Sequence, residues 1–446
     1  MPPRKYDRSV VTDMARISTV CGVLAFAGSA CLGTEPSAEQ GAITPAQAAT
    51  VTPAGQAAAD SAAVERVERV PTPSVIRGLY VNRWAAVGRR INALIDVART
   101  TEINSLVIDV KDDRGLVLYR SRVPLARRIG ADTTNPMSLT RLRALLDTMR
   151  AHDIYPVARI VVVKDPLLAG ARLDWAIKRR TDQQPWLDKN GLPWLDPHQR
   201  EVWKYAADLA EEAYDLGFSE VQLDYVRFPD ERRFVRETVF PQAQGRTRAE
   251  LIREQLGYTR ELLRKKDIRM TIDVFGLTAT DTTDMGIGQK WELFVDQADA
   301  ILPMNYPSHF APGTYGIGNP NAQPYATIAR AMQDVTRRTA PVRNAGRIIP
   351  WYQDFTMGPP RYGVAEVRAQ IEAGYDNGYP DWILWNPGSR YTLGALKPKA
   401  ALLEAQRRMV ENSARRARAD SMRADSLRRS PPAPDSAASV LQQPAQ

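Results

Sequence analysis

Cysteine and histidine are the scarcest chemistry-bearing residues in these 446 positions: two cysteines, Cys21 and Cys31, and three histidines, His152, His198 and His309. Both cysteines precede the stretch with globular composition, which excludes a disulfide framework or a thiolate-bound metal from that stretch. The histidines form no His-x-His pair. His152 ends a helical stretch and His198 starts the next, so only His309 falls beside a candidate strand end. A hydrolase that holds its metal through several imidazoles is therefore disfavoured, and no metal or organic cofactor is expected. Gly-rich phosphate turns are also missing, since Asn386-Pro-Gly-Ser-Arg390 is at best a faint version.

The 44% hydrophobic and 25% charged content suits a soluble globular protein with a full core. The formal charge of +9 does not point to nucleic acid, because eight arginines between Arg407 and Arg429 face only Glu411, Asp420 and Asp425, and no nucleic-acid-binding motif accompanies them. Met14-Ala-Arg16, the apolar run Ile17–Ala27 and the small residues Gly28–Ala30 read as an export signal over residues 1–31. That run is too short to span a membrane as a helix. Cys31 stands where a bacterial lipoprotein carries its lipid, so the sequence predicts either membrane anchoring through Cys31 or simple secretion. Residues 32–74 are rich in Ala, Pro, Thr, Gln and Ser and read as a disordered linker. Residues 406–446 read as an Arg-rich and then Pro/Ser/Gln-rich tail.

Between these tails, over residues 75–405, short β-rich apolar runs alternate with amphipathic helical stretches. Eight runs can be counted: Val75–Asn82, Asn104–Val110, Tyr155–Val163, Glu220–Val226, Arg269–Phe275, Ala300–Asn305, Arg347–Tyr352 and Asp381–Asn386. Eight βα repeats predict an α/β fold, a single closed (β/α)8 TIM barrel. Ser138 caps a helix running to His152, and Gly217 closes another that starts near Val202. The longest excursions, Asp174–Pro197, Asp230–Arg246 and Ser308–Gln323, all follow strand C-termini, the face on which such barrels build their sites.

Polar residues gather at those strand ends, where a purely structural barrel needs none. They are Asn82, Asp109 with Lys111 and Asp113, Lys164-Asp165, Asp224 with Arg227, Asp273, Asn305-Tyr306, Gln353-Asp354 and Asn386. In the fourth strand Gln222 and Asp224 share one side by the two-residue period. Inward burial of Asp224 then requires a partner, for which Arg227 and Lys111 are the cations at hand.

Phe218–Pro229, with Gln222, Asp224 and Arg227 inside it, resembles the signature of the putative glycoside hydrolase domain family, a group of bacterial barrel proteins related to the alpha-amylases. Gly78–Asn82, Ile108–Asp113, Pro303–His309, Pro350–Phe355 and Trp385–Tyr391 resemble the same family in order along the chain. The resemblance implies a glycoside hydrolase with a carbohydrate ligand. In alpha-amylase-type enzymes strand four carries the nucleophile, strand five the acid/base and strand seven a stabilising Asp, places that Asp224, Asp273 and Asp354 occupy here. Two departures stand out: Gln222 replaces an Arg two residues before the nucleophile, and Asp273 is shorter than the usual Glu. Asp113 or Asp165 could serve as the acid instead.

The chemistry needs a protonated carboxyl and an ionised one flanking the scissile bond. Trp186, Trp194, Trp351 and Trp385, with Tyr306, Tyr352 and Tyr391, fall in or beside strand-end loops, where flat rings could stack on sugar faces. His309 and Asn305 belong to the same candidate ligand surface. The rival reading is a non-catalytic carbohydrate-binding barrel or cell-envelope scaffold that kept the cleft and lost the reaction.

Overall fold

A computed structural model of the protein describes residues 68–401, apart from residue 232, and residue 418. The expected export signal with Cys31, the linker up to residue 67 and nearly all of the tail lie outside the described residues.

Among the described residues the strands of the main sheet are β1 (Arg77–Val81), β2 (Ser105–Lys111), β3 (Tyr155–Val161), β4 (Glu220–Asp224), β5 (Met270–Phe275), β6 (Ala300–Asn305), β7 (Arg347–Ile348), β8 (Trp351–Gln353) and β9 (Trp382–Trp385). All pair in parallel, from β1 through β6 in sequence order, and β9 pairs with β1 to close the ring. β7 and β8 both pair with β6 and are two halves of one stave, so the barrel has eight staves, as the repeats predict. Pro350, which has no N–H for a ladder, lies in the break between the halves. β2 and β3 are buried at every position, the condition of a strand with helices outside and a packed barrel inside.

Among the described residues six long helices cover the outside: α1 (Arg90–Thr100), α2 (Leu139–Ala151), α3 (Arg200–Leu216), α4 (Arg248–Arg264), α5 (Pro324–Thr339) and α6 (Val364–Asp376). Ser138 accepts the Arg141 N–H at the start of α2. Gly217 closes α3 at φ +117°, a conformation that favours glycine.

Two findings adjust the expected boundaries. Residues 68–74 belong to the fold: Val70 is buried among Ile76, Tyr155, Val157 and Ile383 at the N-terminal end of the barrel, and Thr72 meets the Tyr155 hydroxyl at 3.1 Å. Apolar Val70 among polar neighbours gives no periodic signal, so composition alone ran the linker too far. The first two excursions are also not independent loops, because Lys178–Arg179 pairs antiparallel with Thr238–Val239 and makes them one wall over the C-terminal face.

Candidate functional site

Parallel register sets the centre of the site. Asp109 on β2 lies opposite Arg159 on β3, and Arg159 lies opposite Gln222 on β4. Arg159 therefore sits inside the barrel among carboxyl groups. Its Nη1 donates to Asp109 Oδ1 at 2.5 Å, its Nη2 donates to Asp224 Oδ2, and its Nε stands 3.4 Å from Asp273 Oδ2. Tyr80 donates its hydroxyl to the other Asp109 oxygen at 2.5 Å. Gln222 Nε2 reaches both Asp273 oxygens at 2.8 and 2.9 Å. Asp224 Oδ1 accepts the Tyr225 N–H at 2.5 Å, made available by a left-handed turn at Tyr225 (φ +53°) that ends the strand.

The carboxyls are driven apart electrostatically. Burial pushes Asp273 well above the ordinary carboxylate range, and the charge of Asp224 pushes it the same way against the pull of Arg159. Burial also lifts Asp109 to about 6, opposed by Arg159 and the Tyr80 hydroxyl. Asp113 behaves oppositely: burial raises it, but Lys164, 2.6 Å away, outweighs that and holds it below the usual value.

Above this layer opens a cleft of about 170 Å³ whose lining includes Arg159, Lys164, Asp224, Arg227, Tyr306, His309 and Trp385. Of the three carboxyls on Arg159, only Asp224 reaches it. One side is aromatic: Tyr306 stacks on Trp385 with centroids 5.5 Å apart, and Phe355 meets Trp385 edge-on at 5.1 Å. The Tyr306 hydroxyl is buried with no protein partner. The joined excursions add Asp188, Lys189, Asn190 and Trp194 to the lining. His309 hydrogen-bonds Ser308 Oγ through Nδ1, and burial lowers its pKa to about 4, so it faces the cleft uncharged at neutral pH.

Other expected site residues serve as joints. Asn82 caps the short helix Arg83–Val87 and donates to the Pro387 carbonyl. Asn386 accepts the Gly388 and Arg390 N–H groups and donates to the Asp354 carbonyl. Asp354 accepts from the backbone and hydroxyl of Thr392, which anchors the loop after β9. Asp165 caps the helix Pro166–Ala171 and pairs with Lys111 at 2.8 Å. Asn305 points at Met332 of α5. Trp351 is fully buried inside the barrel beside Tyr80, and Trp186 is buried beneath the wall against Phe234. Tyr352 is enclosed, and Tyr391 donates its hydroxyl to the Tyr80 carbonyl.

The expectation that Arg227 or Lys111 balances Asp224 is corrected. A register shift between Asp109 and Lys111 breaks the two-residue alternation. Lys111 then faces α3, 5.7 Å from the Tyr205 ring, and donates to the Val161 carbonyl. The turn at Tyr225 carries Arg227 over the Phe275 ring and onto Asp230 at 3.3 Å. Arg159, the cation that does hold Asp224, sits within the apolar run Tyr155–Val163 and by its neighbours reads as an ordinary strand residue. A charged residue in the middle of a run otherwise buried on both faces was the available signal. The same guanidinium answers the departure at Gln222, since the arginine beside Asp224 comes from the neighbouring strand. Among the described residues no group of three or more His, Cys, Asp or Glu side chains could hold a metal ion.

Residues 78–391 match the model of a family described as "Putative glycosyl hydrolase domain". A hypothetical protein from Ruminiclostridium thermocellum is 34% identical over 44% of this chain and 97% of its own, with a TM-score of 0.40. The PgaB (BpsB) glycoside hydrolase domain from Bordetella bronchiseptica shares the fold at 12% identity, covering 71% of this chain and 95% of its own, with a TM-score of 0.53. TtGalA, an alpha-galactosidase from Thermus thermophilus, is 16% identical over 72% of this chain and 60% of its own, with a TM-score of 0.43. No curated protein matches the chain.

Proposed function

The chain belongs to the putative glycosyl hydrolase domain family, its match spanning residues 78–391, and from that premise we propose that it hydrolyses a glycosidic bond of an oligo- or polysaccharide with Asp224 as the reacting carboxylate. The observation that carries this reading is that Asp224, alone among the carboxyls on Arg159, lines the cleft. A guanidinium and a backbone N–H donate to its two oxygens and fix the carboxyl at the mouth of the barrel, as a nucleophile or a water-activating base must be fixed. Asp273, one layer deeper and outside the cleft lining, is pushed by burial and by Asp224 towards the protonated form that a general acid needs, and would act on the substrate only through the layer that Asp224 shares with it. It is the better candidate than Asp113, which Lys164 keeps charged, or Asp165, which caps a helix. Tyr306 and Trp385 offer a flat face for a sugar ring, and Trp194 adds a further ring to the cleft lining. His309 adds a neutral hydrogen-bonding edge.

The proposal includes export. Residues 1–31 would be removed or lipidated at Cys31, which puts the barrel on or outside the cell envelope. Mass spectrometry of the mature N-terminus, with Cys31→Ser beside it, checks this; an unmodified Met1 in the mature protein contradicts it.

Incubating the protein with a panel of α- and β-linked oligosaccharides and cell-wall glycans tests the reaction. Release of reducing ends is the expected outcome. Binding without release would favour the carbohydrate-binding barrel.

A further inference from the structure

Three carboxyl groups crowd one guanidinium inside the barrel. Asp109, Asp224 and Asp273 all meet Arg159. The neighbouring cations are engaged elsewhere: Lys111 with Asp165, Lys164 with Asp113 and Arg227 with Asp230. Full ionisation would leave the cluster two negative charges in excess, on carboxyl side chains no more than 9% exposed. Burial disfavours that state, and one bound proton relieves it.

The three groups compete unequally for that proton. Asp109 receives the Tyr80 hydroxyl at 2.5 Å and Arg159 Nη1 at 2.5 Å. Asp224 receives the Tyr225 N–H at 2.5 Å and Arg159 Nη2. Asp273 has only the amide of Gln222 at 2.8 Å, while Arg159 Nε at 3.4 Å is too far for a full hydrogen bond. Asp273 is also the one with no side-chain exposure.

We propose that Arg159 is the positioning residue of this site: by bonding Asp109 and Asp224 and standing off from Asp273, it assigns the single proton of the cluster to Asp273 and the negative charge to Asp224. The upward displacement of Asp273 by burial and by Asp224 agrees with that assignment. Gln222 suits a neutral Asp273 as well. The two ends of a carboxamide are interchangeable in position, and Gln222 Oε1 is buried without a partner. Turned over, Oε1 accepts the Asp273 O–H across the same 2.8 Å. The catalytic meaning of this division rests on Asp224 as the reacting carboxylate; the proton assignment itself does not.

Infrared spectra of the full-length protein with isotope-labelled aspartate carboxyls, at neutral pH, test it without substrate. The wild type is expected to show one buried protonated carboxyl band that Asp273→Asn removes. Arg159→Lys keeps a cation and keeps that band. Arg159→Gln removes the only cation of the cluster, and a second carboxyl becomes protonated. A wild-type spectrum with no band that Asp273→Asn abolishes overturns the proposal, as does an Arg159→Gln variant with an unchanged number of protonated carboxyls. Should Arg159→Gln fail to fold, Arg159→Lys decides the role of Arg159, because a positioning residue predicts a displaced pH profile of turnover, whereas an unmoved profile contradicts it. A protein that shows the band but hydrolyses nothing would sink the functional reading and leave the proton assignment standing.

Discussion

Asp109 and His309 carry opposite pH signatures in nearly the same window. The folded value of Asp109 is about 6, above its unfolded value of ~4, so the folded state binds the extra proton. Its contribution is complete below pH ~4 and is lost as pH rises through about 6. His309 is lowered to about 4, below its unfolded ~6.5, so the unfolded state binds the extra proton. Its contribution is present above pH ~6.5 and is lost as pH falls towards about 4. Each displacement is worth up to ~3 kcal/mol, at 1.36 kcal/mol per pH unit. In thermal melts from pH 4 to 7, Asp109→Asn should therefore gain on the wild type as pH rises, and His309→Gln should gain as pH falls. Parallel curves for wild type and either variant would refute that assignment.

Legibility at this scale depended on whether a residue's partners are local. Asp224 announced itself as an acidic residue at the end of an apolar strand. Arg159 and Tyr80 did not, because each acts across strands, and nothing in a run such as Tyr155–Val163 says which carboxylate faces its third stave. Asp354 was a sound strand-end candidate by the same logic as Asp224, yet its oxygens are taken by Thr392 of the following loop.

At the scale of elements, periodicity located all eight staves, because each is a short apolar run set between helical stretches, and three of them are buried at every position. It could not locate the register shift that sends Lys111 outward, since one extra residue in a ladder leaves no compositional trace. Nor could it show that two excursions form one wall. That wall is tied by Trp186 Nε1 to Glu237 at 3.0 Å and by Arg180 to the Thr238 carbonyl at 2.7 Å. Glu237→Ala removes one tie, worth ~1 kcal/mol, and leaves the barrel untouched. Faster hydrogen exchange confined to the segments around 178–194 and 234–239 is the expected result; unchanged exchange there would show that the wall does not depend on this tie.

For the molecule as a whole, the barrel needs its N-terminal segment. Val70 fills the end of the barrel opposite the cleft, and Arg347 donates to the Pro73 and Ser74 carbonyls. A chain starting at Val75 should be less stable than one starting at Glu68 by at least the ~1.5–3 kcal/mol of burying one such side chain. Equal melting temperatures would show that these residues are dispensable. The fold class was readable because repetition amplifies a weak local signal eight times over. The site was readable only in outline, because its centre is a set of contacts between staves.

Everything proposed for the reaction turns on Asp224 as the carboxylate that reacts. Turnover by the protein and by Asp224→Asn, measured side by side on a glycan that the wild type hydrolyses, tests it most directly. The variant is expected to keep its fold and its affinity for the glycan and to lose turnover by several orders of magnitude. An Asp224→Asn protein that hydrolyses the same glycan at the wild-type rate would contradict it.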